Sequence, residues 1–121
     1  MSRFEKKEVE ALLKNYKLLN YNKNNDYCMN AMFCNNIGFS ISEEDLKIFI
    51  KSFSDLQSYP YKGSIYYDIL KDRYINGKTM DEIASEHTKS ISTLYLYRRQ
   101  GIKVLTNLFK EALADEKKAC V

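Results

Sequence analysis

The chain of 121 residues has no tryptophan, one proline, four glycines and one histidine. Each scarcity excludes something. With so few backbone breakers, helix is the expected default along the chain. The lone histidine, His87, has no cysteine or carboxylate beside it in ligand spacing, so it reads as a residue at a helix end and not as a metal ligand. Cysteine is sparse and odd in number: Cys28, Cys34 and Cys120. With no signal-like start, these three predict no disulfide framework, and Cys28 and Cys34 are not spaced as a zinc knuckle. No apolar run approaches the ~20 residues that a membrane span requires. The expected setting is soluble, intracellular and cytoplasmic. Catalytic patterns are missing too. No Ser-His-Asp set, phosphate-binding loop or spaced carboxylate pair stands out, and Glu43-Glu44-Asp45 reads as a helix start. The sequence therefore predicts no catalytic residue, no metal and no cofactor, and a protein that is not an enzyme.

What the chain does have is apolar and aromatic bulk, with 45% hydrophobic residues, ten tyrosines and six phenylalanines. That is enough for one compact core. Net charge is only +3, but its distribution is uneven. Between Glu86 and Glu111 stand Lys89, Arg98, Arg99, Lys103 and Lys110, with no acidic residue among them. Such a block is the footprint of a polyanion partner, or else a solvated helix face.

Helical spacing organises most of the chain. Ser2-Arg3-Phe4-Glu5 reads as a capping box, followed by Val9, Leu12, Leu13, Tyr16 and Leu19 in one apolar stripe, which predicts a helix from Arg3 to Asn20. Lys6, Lys7, Glu10, Lys14 and Lys17 fall on its solvated side. The stripe must be buried in this chain's core or against a second subunit. Tyr21 to Ser40 is ambiguous: a polar turn over Asn22 to Asp26, a short helical face from Cys28, Met29, Met32 and Phe33, and a stop at Asn35-Asn36-Ile37-Gly38. Ser42 opens a further helix with the stripe Leu46, Phe49, Ile50, Phe53 and Leu56, which ends before Pro60. The connector Pro60 to Gly63 is the best candidate for a hinge, dividing a helical segment over 1–60 from a unit over 61–121.

Punctuation is densest in the second unit. Tyr66, Ile69, Leu70 and Tyr74 mark a helix closed by Asn76-Gly77. Thr79-Met80-Asp81-Glu82 is a capping box for a short helix through His87, and Ser90 caps a long helix running toward Ala114. On that helix Leu94, Tyr97, Gly101, Val104, Leu105 and Leu108 form the inner side. Ile83 and Ala84 face inward, Thr88-Lys89 turn, and Gly101 permits a close crossing. The fold class is all-α, and the last two helices have the form of a helix-turn-helix.

The segment Arg73-Tyr74-Ile75-Asn76-Gly77-Lys78-Thr79-Met80-Asp81-Glu82-Ile83-Ala84 resembles the RYIxGxTxxEIA stretch of sigma-factor region 4 domains. Ser90-Ile91-Ser92-Thr93-Leu94-Tyr95 resembles the SxSTVY start of their recognition helix, and Ile102-Lys103-Val104-Leu105 stands where they carry ALKKL. The likeness covers Ile69 to Leu108, a third of the chain. Val9 to Tyr16 also resembles the first helix of small phage and prophage late-gene activators of the ArpU and RinA type.

The resemblance implies a transcriptional regulator of phage or mobile-element origin that binds double-stranded DNA through the major groove, with RNA polymerase as a further partner. Ile91, Ser92, Tyr95, Leu96 and Arg99 would meet bases: arginine can pair with guanine, and apolar groups touch thymine methyls. Thr79, Lys89, Arg98 and Lys103 would meet phosphates. Ile91 and Leu96 are apolar where the family often carries polar or basic residues, and Arg98 stands where an apolar residue is common. One such unit seldom suffices for tight binding, so a homodimer is expected, through the N-terminal helix or the Glu43 to Leu56 helix. Two other readings stay open: a small terminase subunit for DNA packaging, and a protein-binding module with a degenerate helix-turn-helix.

Overall fold

The computed structural model describes residues 4–21, 27–28 and 31–119, with side chains over 4–19 and 32–116. The expected cap at Ser2, the turn over 22–26, Met29 and Cys120 lie outside them, as do the side chains of Cys28 and Lys118. The fold is all-helical apart from one short antiparallel pairing. Six α-helices follow one another: α1 (Lys6–Lys14), α2 (Ala31–Ile37), α3 (Glu43–Asp55), α4 (Gly63–Tyr74), α5 (Met80–His87) and α6 (Ile91–Ala119). Strands β1 (Asn20–Tyr21) and β2 (Tyr27–Cys28) pair between α1 and α2, in the register Asn20 to Cys28.

The first helix is shorter than its apolar spacing predicts. It starts at Lys6, after Glu5, whose amide donates to Glu8 Oε1 at 3.0 Å. It stops at Lys14 because Asn15 turns back on it: Asn15 Nδ2 donates to the Ala11 carbonyl at 2.9 Å, and a 3-10 turn over Tyr16–Leu18 follows. Leu19 still reaches the core, so the stripe continues although the α-helix does not. In α2 the buried side chains are Phe33 and Ile37, whereas Met32 is 60% exposed, a correction to the face expected there. Gly38, at φ +78°, ends that helix in the left-handed region. α3 starts as its sequence predicts, with the Asp45 amide donating to Ser42 Oγ at 3.1 Å.

One aromatic cluster ties the first half of the chain to the last helix. Phe109 of α6 lies 5.0 Å from Phe4 and 5.3 Å from Phe49 of α3, ring centre to ring centre. Val9, Leu12 and Leu13 of α1 and Leu46 and Phe53 of α3 are buried in the same core as Tyr66, Leu70, Ile102 and Leu105. Most of the stripes of α1 and α3 is therefore buried within this chain, with Tyr16 and Ile50 half-buried at the edge of the same core. The core crosses residue 60, and the corner there is packed. A Cβ at Gly63 would collide with the Leu56 carbonyl oxygen and come within 2.6 Å of Tyr59 Cβ, so the expected hinge is a wedged turn.

Beyond Gly101, α6 is enclosed on more sides than its inner stripe predicts. Ile102, Thr106 and Phe109 are buried alongside Leu105, because α1 and α3 pack across the face that earlier in the helix is open. Thr106 satisfies its hydroxyl by donating to the Ile102 carbonyl at 2.7 Å.

Candidate nucleic-acid interface

A second, smaller core holds α4, α5 and α6 together at the other end of the molecule. It consists of Ile69, Met80, Ile83, Ala84 and Leu94, with Ile65 and Tyr97 packed against it. Local signals set each helix within it. Thr79 Oγ1 accepts from the Glu82 amide at 3.2 Å, and the Thr79 amide donates to Glu82 Oε1 at 3.2 Å, which closes the capping box at the start of α5. The helix ends in a left-handed residue, Thr88 at φ 53°, and the Lys89 amide donates back to the Ala84 carbonyl at 3.0 Å. Ser90 then caps α6, taking the Thr93 amide on its Oγ at 3.2 Å. Three residues thus separate α5 from α6, Thr88, Lys89 and Ser90, and the pair forms a helix-turn-helix.

The outer side of α6 at this end is a single open stripe. Ile91, Ser92, Tyr95, Leu96 and Arg99 are all exposed and recur at the spacing that aligns side chains on one helix face. Five large hydrophobic residues are exposed among the described ones, and three of them are here: Ile91 (41%), Tyr95 (44%) and Leu96 (41%). Among the described residues, apolar exposure is concentrated where the resemblance implies base contacts.

The residues expected at phosphates divide into two kinds. Lys89 and Lys103 are exposed, and neither is in an ion pair among the described residues. Lys89 Nζ lies 5.8 Å from the centre of the Tyr97 ring, and Lys62 Nζ lies 4.8 Å from it, so two cations attend one aromatic ring. Thr79 and Arg98 are already engaged. The Thr79 hydroxyl serves the capping box, also donating to Glu82 Oε1 at 3.1 Å. Arg98 is half-buried, its guanidinium 5.4 Å from the centre of the Tyr95 ring and its Nε enclosed with no partner among the described residues. Beside it the Tyr74 hydroxyl is buried without a hydrogen-bond partner among the described residues. Burial pushes that phenol above its ordinary value of 10.0, against the pull of Arg98. Lys110, counted in the basic block, is tied to Glu5 at 2.9 Å.

No family model, curated protein or solved structure matches the chain at a significant level.

Three features of this end escape the sequence pattern. His87 Nε2 faces Asp72 Oδ2 at 3.7 Å, and Lys78 joins the same carboxylate to Glu86, at 3.7 and 2.7 Å. These contacts strap the turn after α4 to α5. Lys62 reaches the site although it lies outside the segment that carries the family resemblance. Lys6 and Lys7 of α1, which the amphipathic pattern leaves on a solvated face, line one groove with Arg99 of α6. Only residue types at long sequence separation make that groove, so no local spacing announces it. No group of three or more potential metal ligands occurs among the described residues, and no helix there is long and apolar enough to cross a membrane.

Proposed function

We propose that this chain is a sequence-specific DNA-binding regulator that sets the first turns of α6 in the major groove of duplex DNA. The observation that carries the reading is the open stripe Ile91, Ser92, Tyr95, Leu96 and Arg99 at the start of a helix presented by a helix-turn-helix core. Arg99 is the residue that donates to a guanine edge, and Ile91 and Leu96 pack on thymine methyls. Lys89 and Lys103 meet phosphates on either side, which fixes register without reading sequence. Arg98 has a different role from the one its charge suggests: it lies against Tyr95 and holds that ring in place.

Binding to labelled mixed-sequence duplexes, followed from ~50 to ~200 mM salt, tests the reading. The wild type gives a steep salt dependence, and Lys89→Ala/Lys103→Ala makes the slope shallower by ~1.8, or ~0.9 per phosphate contact. Absence of binding at ~50 mM salt sinks the proposal. A specific feature favours one other reading, a protein-docking surface: the cluster of exposed Ile91, Tyr95 and Leu96. On that reading Leu96→Asp abolishes capture of a protein partner such as RNA polymerase, and salt has little effect.

A further inference from the structure

We propose that α1 belongs to the DNA-contacting surface, with Lys6 and Lys7 gripping the phosphate backbone next to the groove that α6 enters. This rests on the DNA-binding reading and extends it to the opposite end of the chain. A groove of about 320 Å³ lies between the two helices, lined by Lys6, Lys7 and Glu10 of α1 and by Arg99 and Ile102 of α6. Lys6, Lys7 and Arg99 are all exposed, and none is in an ion pair among the described residues. The one acid in the lining, Glu10, is occupied by Lys14 at 3.2 Å. The groove is therefore cationic, open and poor in aromatic walls, which suits a phosphate chain better than an enclosed small molecule.

Position makes the same point. Ile91 and Arg99 are eight residues apart, about 12 Å along a helix. Over that length the stripe stays within the major groove, with Arg99 at its far end and the bordering phosphates beyond it. Lys6 and Lys7 stand beside Arg99 across the groove between the helices. The buried Ile102 follows, marking the point at which α1 closes over α6. Rigidity favours the contact too. Glu5 of the α1 cap is bonded to Lys110, Phe4 packs on Phe109, and Val9, Leu12 and Leu13 are buried, so binding these lysines orders their side chains but not the backbone that carries them. The site is not the end of the helix itself, since Glu8 already takes the Glu5 amide.

The test compares salt slopes of the full chain with Lys6→Gln/Lys7→Gln and with Lys6→Arg/Lys7→Arg on two mixed-sequence duplexes of different base composition. The glutamine variant is expected to be shallower by ~1.8 and weakened equally on both duplexes, and the arginine variant to keep the wild-type slope. Amine footprinting of the wild type, which needs no variant, is expected to show Lys6 and Lys7 protected by DNA while Lys47 and Lys51 of α3 stay reactive. A wild type that binds DNA with Lys6 and Lys7 still fully reactive, or a glutamine variant with an unchanged slope, overturns this inference and leaves the role of α6 standing. A wild type that binds no duplex overturns both.

Discussion

Gly101 of α6 crosses Tyr66 of α4 so closely that a Cβ at position 101 would sit 3.1 Å from Tyr66 Cβ and 3.4 Å from Leu70 Cδ1. Just before it, the Tyr66 hydroxyl donates to Gln100 Oε1 at 3.0 Å, which holds the crossing in register. A single methyl has to find a few tenths of an ångström, while alanine gains helix propensity of ~1 kcal/mol over glycine. Gly101→Ala is therefore expected within about 1 kcal/mol of wild type, and Gly101→Leu to lose ~1–3 kcal/mol or more by overpacking. Urea unfolding distinguishes them; equal stabilities would contradict the close crossing.

Thr88 and Gly77 form a reciprocal pair of tests. Both are left-handed, at φ 53° and 70°, but only one is glycine. A β-branched residue held there costs on the order of 1–3 kcal/mol, so Thr88→Gly is expected to raise stability by about 1 kcal/mol. Gly77→Ala is expected to lower it by a similar ~1 kcal/mol. Nothing lies within 4 Å of an added Cβ at Gly77, so that loss is conformational and not steric. Thermal melts of the two variants should move in opposite directions.

The caps of α5 and α6 differ in what their loss does. Thr79→Ala and Ser90→Ala each remove a hydroxyl that accepts a helix amide, at a cost of ~1 kcal/mol. Ser90 alone sits at the root of the exposed stripe. On the proposed function, Ser90→Ala also weakens duplex binding at a temperature where both variants remain folded, and Thr79→Ala leaves binding close to wild type. Equal affinities for the two variants would argue that the start of α6 does not enter DNA.

Alkaline pH acts on two groups at this end. Burial holds the Tyr74 phenol above 10.0, and the Glu86 hydrogen bond holds the Lys78 ammonium above 10.5, with Asp72 adding to it against partial desolvation. In both cases the unfolded chain gives up its proton first. The contribution is therefore complete below about pH 10 and is lost as pH rises through the folded-state values. Melting temperature is expected to drop above about pH 10. Tyr74→Phe should blunt that drop, and at neutral pH should cost little or stabilise, because the buried hydroxyl it deletes has no well-formed hydrogen bond among the described residues and only a weak pull from Arg98. A variant that is clearly weaker at neutral pH would show that the Tyr74 hydroxyl is bonded after all.

The helix-turn-helix was legible because its signals are local. Thr79 with Glu82, Ser90 with Thr93 and the glycine at 77 each act within a few residues, and Ile83, Ala84 and Leu94 follow helical spacing. α1 was misjudged because its apolar stripe runs on through a 3-10 turn, so periodicity hid the break that Asn15 makes. The β1–β2 pairing escaped because two-residue strands leave no alternating pattern to read. Arg98 and Thr79 were placed at phosphates by position in the family resemblance. Tyr74, Tyr95 and Glu82 decide where those side chains go; Tyr95 and Glu82 each stand three residues from the partner, and only Tyr74 is remote in sequence. The groove between Lys6, Lys7 and Arg99 joins residues from opposite ends of the chain, beyond the reach of any spacing argument.

Helix α6 begins as the outer wall of the small core and ends as the central post of the large one. The two halves of this protein are for that reason not interchangeable parts. Transplanting residues 61–121 onto another body would strip α1 and α3 from the far half of α6 and uncover Phe109, which packs on Phe4 and Phe49. Any change to the exposed face of its first turns has to be made in the few side chains of the open stripe, with the rest of the helix kept where it is.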